Sequence, residues 1–345
     1  MKKDADIMKD VKIFNFSKAT DTAFVRTVIF RARDVRVPYY ISRSWESGPH
    51  LAVTFDGSAD DTAIELFASG MRREAEAVQL DPRDDLQVRE QYRKMVSRIA
   101  VLEEKDAPET MADHGTVKVE ENRFHYHNPA LTRIIHQMRF ELQPVLEEVF
   151  FRLHEDGEPM PVLMPLLFHH VSETYRDQGR NKGYFSFISH VQGFLELSEK
   201  QNLPYTEADF EKRFRTHEHD IGALDAQGDP HIEQWKEVWG KISDSYKTEI
   251  HRNVDEGYLD TIRKSVDELD AGFRNDFHQQ FIHYFRRTGF LADRDATAYR
   301  FIINVLYLSL PFLRVSALKK QQFIYMAYRY NETKNARTWR EEIGI

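Results

Sequence analysis

The chain contains no cysteine. Disulfides, thiol nucleophiles and Cys-ligated zinc are therefore excluded, and the composition fits a cytoplasmic protein. No apolar run is long enough to span a bilayer. The first residues, Met1 to Asp6, are charged with no apolar stretch behind them, so no signal peptide is expected. Positive charge is not in excess either: the net charge is -8 and the pI is near 6.0. General nucleic-acid binders are basic, so that class is not expected. The local basic clusters, Arg286-Arg287 and Arg314 with Lys319-Lys320, read as solvated helix faces. Glycine is scarce, at 15 residues, and none cluster into a phosphate-cradling loop. There is no Walker loop, no dinucleotide fingerprint and no Gly-x-Ser-x-Gly elbow.

A chain of 345 residues can bury a large core in one or two domains. Val11 to Phe16, Tyr39 to Ser42 and Leu51 to Phe55 alternate with period two and predict strands. Ser47-Gly48-Pro49 fits a hairpin turn between the last two. Thr20 to Arg33 predicts a helix, and Asp60-Asp61 opens another with acidic residues in its first turn. Asp84 to Glu104 keeps apolar residues at helical spacing within a charged background. Lys105 to Gly115 predicts a loop, and Thr116 to Tyr126 a strand. From Pro129 onward the period is 3.6. Helices are expected at Leu131 to Leu153, Val162 to Tyr175, Phe187 to Glu199, Glu207 to Arg215 and His231 to Arg252. Others follow at Tyr258 to Leu269, Phe277 to Arg287 and Ala296 to Leu313, with Pro311 kinking or ending the last. Gln321 to Tyr330 fits a strand or a helix, with the helix favoured. The expected fold class is α+β, a strand-rich part (1–126) packed with a mainly helical part (127–345) in a single domain.

Three segments place polar residues beside aromatic ones. The first is the hairpin, Tyr39 to Phe55, whose turn region holds Arg43, Trp45, Glu46 and His50. The second is Gly183 to Leu195. There Gly183 permits a turn, Ser186 or Ser189 is a candidate helix cap, and His190 is expected in the first helical turn. The third is Phe323 to Asn331, with Tyr325, Tyr328 and Arg329.

These segments resemble the family of thiopeptide-type bacteriocin biosynthesis proteins, related to the C-terminal elimination domain of lantibiotic dehydratases. The hairpin resembles the family's aromatic-Ile-Arg-Tyr-Trp-x-x-Gly-Pro-His-Leu-Arg-x-Arg pattern, matched by Arg43, Trp45, Gly48, Pro49, His50 and Leu51. The second block resembles Gly-Tyr-x-Ser-x-Arg-Ser-His-x-x-x-Phe-Leu, matched by Gly183, Tyr184, Ser186, Ser189, His190, Phe194 and Leu195. The third is similar to the family's terminal His-Met-x-x-Asn-Arg segment. The resemblance covers most of the chain and implies the α+β fold of the elimination domain.

It also implies tailoring of a ribosomally synthesised peptide, with a leader-bearing precursor as partner and a dehydratase or cyclodehydratase as companion enzyme. Elimination of glutamate from a glutamylated Ser or Thr needs a base for the α-proton and cations for the glutamyl carboxylates. The sequence departs from the pattern there. The family's two arginines after His-Leu are Ala52 and Thr54, the arginine before Ser189 is Ile188, and the terminal histidine position holds Tyr325. Loss of one bidentate carboxylate contact costs about 2 kcal/mol. The pyridine-synthase branch fits the gaps better. Its enzymes join two dehydroalanines in a formal [4+2] cycloaddition, then expel water and the leader peptide. That chemistry needs positioning and proton donors and no carboxylate clamp.

The resemblance thus implies a lyase or cyclase with Tyr184, Ser186, Ser189, His190 and Tyr325 as candidate catalytic residues. Arg43, Trp45, His50, Tyr328 and Arg329 are the candidate peptide-binding residues. No cofactor and no metal are expected. Two alternatives stay open. One is a stand-alone glutamate-elimination protein in which Arg26, Arg314 or Arg329 replaces the lost cations. The other is a non-catalytic protein that binds the leader, for instance by β-augmentation of the strand-rich part.

Each candidate has a plainer role beside the functional one. His50 can cap backbone groups at its turn, His190 can bond backbone at its helix start, and Arg43 can pair with Glu46. The tyrosines can be core aromatics with satisfied hydroxyls. The pairs His125-x-His127, His169-His170 and His217-x-His219 lack a clear third ligand. His125 and His127 are expected on one face of a strand, and adjacent His169 and His170 on a helix are expected to diverge.

Overall fold

The computed structural model describes residues 7–102, 110–272, 275–288 and 294–344. The charged start at Met1 to Asp6 and the first half of the Lys105 to Gly115 loop lie outside the described residues. The chain divides into two compact units: 1–124 with 311–313, and 125–310 with 314–345. The fold class is α+β.

In the first unit, strands β1 (Lys9–Ile13), β2 (Tyr39–Ser44), β3 (His50–Phe55) and β4 (Val117–Glu121) form an antiparallel sheet in the order β2-β3-β1-β4. β3 lies inside the sheet, and every one of its residues is buried. The alternation of Leu51 to Phe55 therefore does not mark a solvent face. Thr54 shows why a polar residue is tolerated there: its hydroxyl donates to Asp10 Oδ1 of β1, its register partner, at 2.6 Å. Helices α1 (Asp21–Asp34) and α2 (Asp61–Ala77) follow the predicted positions, and α2 packs against β1 and β4. Asp60 caps α2 by accepting from the Thr62 amide. α3 (Pro82–Leu102) contributes Val88 to a cluster with Phe14 and Phe16.

Two strand expectations need correction. β1 stops at Ile13, because Phe14 and Phe16 turn into the α3 cluster and the Phe14 amide bonds the Thr116 carbonyl instead. β4 stops at Glu121. The Asn122 side chain accepts from the Phe124 amide and donates to Asp10, which ends the ladder. His125 and His127 are therefore not on a strand. His127 has a positive φ of 49°, and its Nε2 lies 2.8 Å from Asp255.

The second unit is helical. It runs α4 (Pro129–His154), α5 (Met160–Ser172), α6 (Tyr184–Lys200), α7 (Glu207–Ala226), α8 (Pro230–Asn253), α9 (Glu256–Gly272), α10 (Asp276–Thr288), α11 (Arg294–Ser309), α12 (Ala317–Asn335) and α13 (Trp339–Ile343). The sequence places most of these within a turn. α7 is much longer than expected and carries His217 and His219. α11 ends two residues before Pro311, which has no amide hydrogen to extend it. α12 packs against α5, α6 and α7. It is buried on several faces, so its 3.6-residue signal is weak and the sequence reads poorly there. A two-residue hairpin, β5 (Arg176–Asp177) and β6 (Arg180–Asn181), precedes α6 and is too short to leave a periodic signal. Among the described residues no helix is long and apolar enough to cross a membrane.

Candidate active site

A cavity of about 380 Å³ opens in the helical unit, lined from α6, α9, α10 and α11. Its wall starts at Gly183, the residue before α6. A Cβ there would lie 2.2 Å from the Ser172 carbonyl oxygen and 2.8 Å from the Tyr299 ring and hydroxyl. Only glycine lets the chain pass between α5 and α11 and enter α6 at this place. The Asn181 side chain fixes the entry by accepting from the Gly183 amide at 3.0 Å.

α6 begins at Tyr184, not after Ser186 or Ser189. Ser186 consequently lies in the first turn, and its hydroxyl donates back to the Gly183 carbonyl at 2.9 Å rather than capping amides. His190 falls in the second turn. Ser186, Ser189 and His190 share one helix face and line the cavity together.

Ser189 Oγ lies 3.1 Å from Nε2 of His278, a buried residue of α10. His278 is held in place from its backbone, whose amide donates to Asn275 Oδ1. The Asn275 side chain in turn donates to Glu196 at 2.6 Å. His190 presents its ring to the cavity and meets Tyr307 edge-on at 5.2 Å. Lys320 Nζ lies over the ring of that tyrosine, 4.6 Å from its centre. The His190 side chain is exposed along the cavity, yet the protein packed around that wall lowers its pKa, with Lys320 and His278 adding to the effect. Burial also lowers His278 to about 4. Both imidazoles are thus neutral near neutrality, each able to accept a proton at one nitrogen and donate from the other.

The remaining wall is aromatic and hydroxylic. Tyr299 stacks on Tyr175 at 5.4 Å, and burial pushes its phenol up. Tyr126 and Tyr258 bring their hydroxyls within 3.3 Å, and Asn304 donates to the Tyr126 hydroxyl. Two cations line the cavity. Lys182 is buried against Glu342 at 2.7 Å and over the Phe185 ring, and Arg300 comes from α11.

The other expected site residues are placed elsewhere. Tyr184 is buried against Phe185 and does not line the cavity. Tyr325, Tyr328 and Arg329 line a separate hollow of about 420 Å³ between α7, α12 and α13. There the Tyr325 hydroxyl donates to Glu211 at 2.9 Å, and Arg329 spans Glu211 and Glu332. In the first unit, Arg43 pairs with Asp21 through its two terminal guanidinium nitrogens, at 3.2 and 2.7 Å. Asp21 on α1 therefore takes the place foreseen for Glu46. His50 is buried, with Nδ1 2.8 Å from the Gly48 carbonyl and its ring 4.7 Å from Phe14. Burial lowers its pKa to about 4. The Trp45 carbonyl accepts from the Gly48 amide and closes the turn, in which Gly48 has a φ of 112°.

Sequence reasoning missed His278, Tyr299, Tyr126 and Tyr258. His278 and Tyr299 lie about ninety residues or more beyond Ser189 and reach it only through packing of α10 and α11 on α6. Aromatic density around Phe277 to Phe281 was the available signal.

The structure is similar to known ones over nearly its full length. The pyridine synthase TbtD from thiomuracin biosynthesis matches with a TM-score of 0.57 at 17% identity, covering 95% of this chain and 98% of that one. TsrL matches with a TM-score of 0.55 at 12% identity, covering 97% of each chain. The tRNA-dependent lantibiotic dehydratase MibB from Microbispora sp. 107891 matches at 0.46 and 11% identity, covering 95% of this chain and 28% of that one. No family model matches the sequence, and no curated protein does. The chain shares the fold of TbtD and TsrL.

Proposed function

We propose that this protein tailors a ribosomally synthesised peptide, joining two dehydroalanines of a leader-bearing precursor in a formal [4+2] cycloaddition. The observation that carries the reading is the cavity: neutral imidazoles and hydroxyls on an aromatic wall, in a fold shared with a pyridine synthase. Stacking surfaces such as Tyr299 and Phe281 suit two flat dehydroamino acids held face to face. One dehydroalanine reacts as a 2-azadiene once its amide N–H proton has passed to the preceding carbonyl oxygen. Two carbon–carbon bonds then close the six-membered ring, one between the two methylene carbons and one between the imidate carbon of the azadiene and the α-carbon of the second dehydroalanine. Loss of water, and of the leader as its terminal amide, makes the ring aromatic with no external oxidant.

Each of these steps moves a proton over a short distance. His190, open to the cavity and neutral, is the group suited to take the amide proton and return one to the carbonyl oxygen. The Ser189–His278 pair is a second relay, suited to protonating the departing hydroxyl. Ser186 and the phenols orient the peptide carbonyls by hydrogen bonds. The leader is recognised apart from this cavity.

A second reading is glutamate elimination, which the presence of a cationic side chain, Arg300, on the cavity wall favours. One assay separates these readings from a non-catalytic one. The purified protein is incubated with a precursor containing two dehydroalanines and, separately, with a glutamylated precursor, and masses are followed. Release of the leader with a new ultraviolet-absorbing ring supports the cycloaddition. Loss of glutamate alone overturns it in favour of elimination. Tight leader binding without turnover of either precursor overturns both.

A further inference from the structure

Away from the cavity wall, at the C-terminal end of α5, lies a cluster that no step above uses. His169, His170 and Glu173 each offer one ligand atom, and these atoms lie within 4.8 Å of one another. The expectation that adjacent histidines diverge fails here. Both rings belong to the last helical turn, their centres are 5.2 Å apart, and both residues are buried. Glu173, where the helix ends, reaches back toward them.

Two of the distances approach those of a ligand set. His170 Nδ1 lies 3.2 Å and His169 Nε2 3.8 Å from Glu173 Oε2. Bonds of about 2.0–2.1 Å to a tetrahedral zinc place neighbouring ligand atoms about 3.3 Å apart. One edge is already at that length and another needs a small contraction. His169 supplies an independent sign: it is 1% exposed, and neither ring nitrogen has a hydrogen-bond partner. A buried imidazole left so costs free energy unless something else satisfies it.

The surroundings complete the arrangement. His170 Nε2 lies 3.0 Å from Asp225 Oδ1 on α7 but is not aligned for a hydrogen bond; a small rotation of the ring would make this the carboxylate contact that orients a histidine ligand. Tyr330 and Lys334 occupy the other oxygen of Asp225, at 2.7 and 2.6 Å. Arg176 occupies Oε1 of Glu173 at 2.7 Å, which leaves Oε2 for a metal. Lys236 lies 3.9 Å from Asp225 Oδ1 and, with Lys334 and Arg176, opposes a bound cation.

We propose that His169, His170 and Glu173 bind one divalent transition-metal ion of the zinc type, with Asp225 as the positioning residue for His170. Two histidines and a carboxylate leave a further coordination position, open to solvent on the side of the partly exposed Glu173. The ion would tie the end of α5 to α7. The adjacent Ser172 carbonyl faces Gly183, so it would also brace the start of the cavity wall.

The test uses the full chain without an affinity tag, stripped with chelator and dialysed against zinc chloride. Elemental analysis is expected to find one zinc per chain, and cobalt(II) loading is expected to give the intense visible bands of a low-coordinate site. Glu173→Gln and His169→Ala should abolish stoichiometric retention, and Asp225→Asn should weaken affinity about 10- to 100-fold. Glu173 is partly exposed, so Glu173→Gln keeps the test valid if His169→Ala fails to fold. Removal of the surface pair, in His217→Ala with His219→Ala, should leave retention unchanged. Failure to retain zinc, or retention lost with the surface pair and not with Glu173, overturns the proposal. These readouts do not involve the peptide, so they stand or fall apart from the proposed cycloaddition.

Discussion

The hairpin of the first unit and the cavity of the second each hold a histidine whose pKa is lowered to about 4. The two are neutral for different ends. His50 is packed on Phe14 and spends Nδ1 on the Gly48 carbonyl, so its ring braces a turn. His190 has its surface on a cavity with Ser189 and His278 close by. Both belong to blocks that resemble one family, yet of the two only the second lines a cavity. The lesson is that a motif can mark a scaffold as readily as a reaction, and that what each side chain touches decides between them.

The contrast can be broken most severely at Gly183. Gly183→Ala places a methyl 2.2 Å from a backbone oxygen that cannot move aside easily. Overpacking of this kind costs about 3 kcal/mol or more, so denaturant melts should show a large loss of stability. Gly48→Ala should strain the hairpin less in packing, because the Met111 side chain it meets is flexible. Its positive φ still adds a cost of about 1 kcal/mol.

A smaller effect is expected from Ser189→Ala. It removes the hydroxyl beside buried His278, which costs about 1–2 kcal/mol and should lower turnover more than it lowers stability. A mutation that touched stability alone would make Ser189 a packing residue like those of the hairpin.

The pH dependence sharpens the comparison. An unfolded imidazole takes a proton near pH 6.5, whereas folded His50 does so only near 4. Between these values the unfolded chain binds more protons. The stability from His50 is therefore fully present above about pH 6.5 and is lost as the pH falls toward 4. His50→Gln should shrink the difference in unfolding free energy between about pH 7 and about pH 5, measured by denaturant titration. His136 and His278, lowered in the same way by burial, should keep part of that slope in the variant.

The least effect should follow Tyr325→Phe. Its hydroxyl meets Glu211 in the separate hollow, and removing one part-exposed hydrogen bond costs about 1 kcal/mol. Turnover should change little. A loss of turnover as large as that for a cavity residue would move the chemistry toward α12.

Much of the fold was legible because periodicity survives where one face of an element is buried. The hairpin strands and α4, α8 and α10 follow their patterns closely. α12 was hard to read because it is buried on several faces, and β5 and β6 because two residues carry no period. Of the cavity, the α6 face with Ser186, Ser189 and His190 was legible from spacing three and four apart, although its helix starts earlier than the serines suggested. Gly183 was legible as a turn, but the reason it must be glycine lies in Ser172 and Tyr299, which only packing brings near. The partners His278 and Tyr299 left no mark beyond the aromatic density around Phe277 to Phe281, since contacts between distant helices are not written in local order. The approach of Glu173 to His169 and His170 was not legible, because the angle between adjacent residues on a helix does not show the chain's turn after Ser172.

The claim that the second unit's cavity carries the reaction is tested most directly by one paired rate measurement. Turnover of a precursor with two dehydroalanines is measured for the native chain, His190→Phe and His50→Gln under saturating peptide. The account predicts that His190→Phe loses about a hundredfold or more in rate while His50→Gln stays within a few fold. A normal rate for His190→Phe, or a collapse confined to His50→Gln, would contradict it.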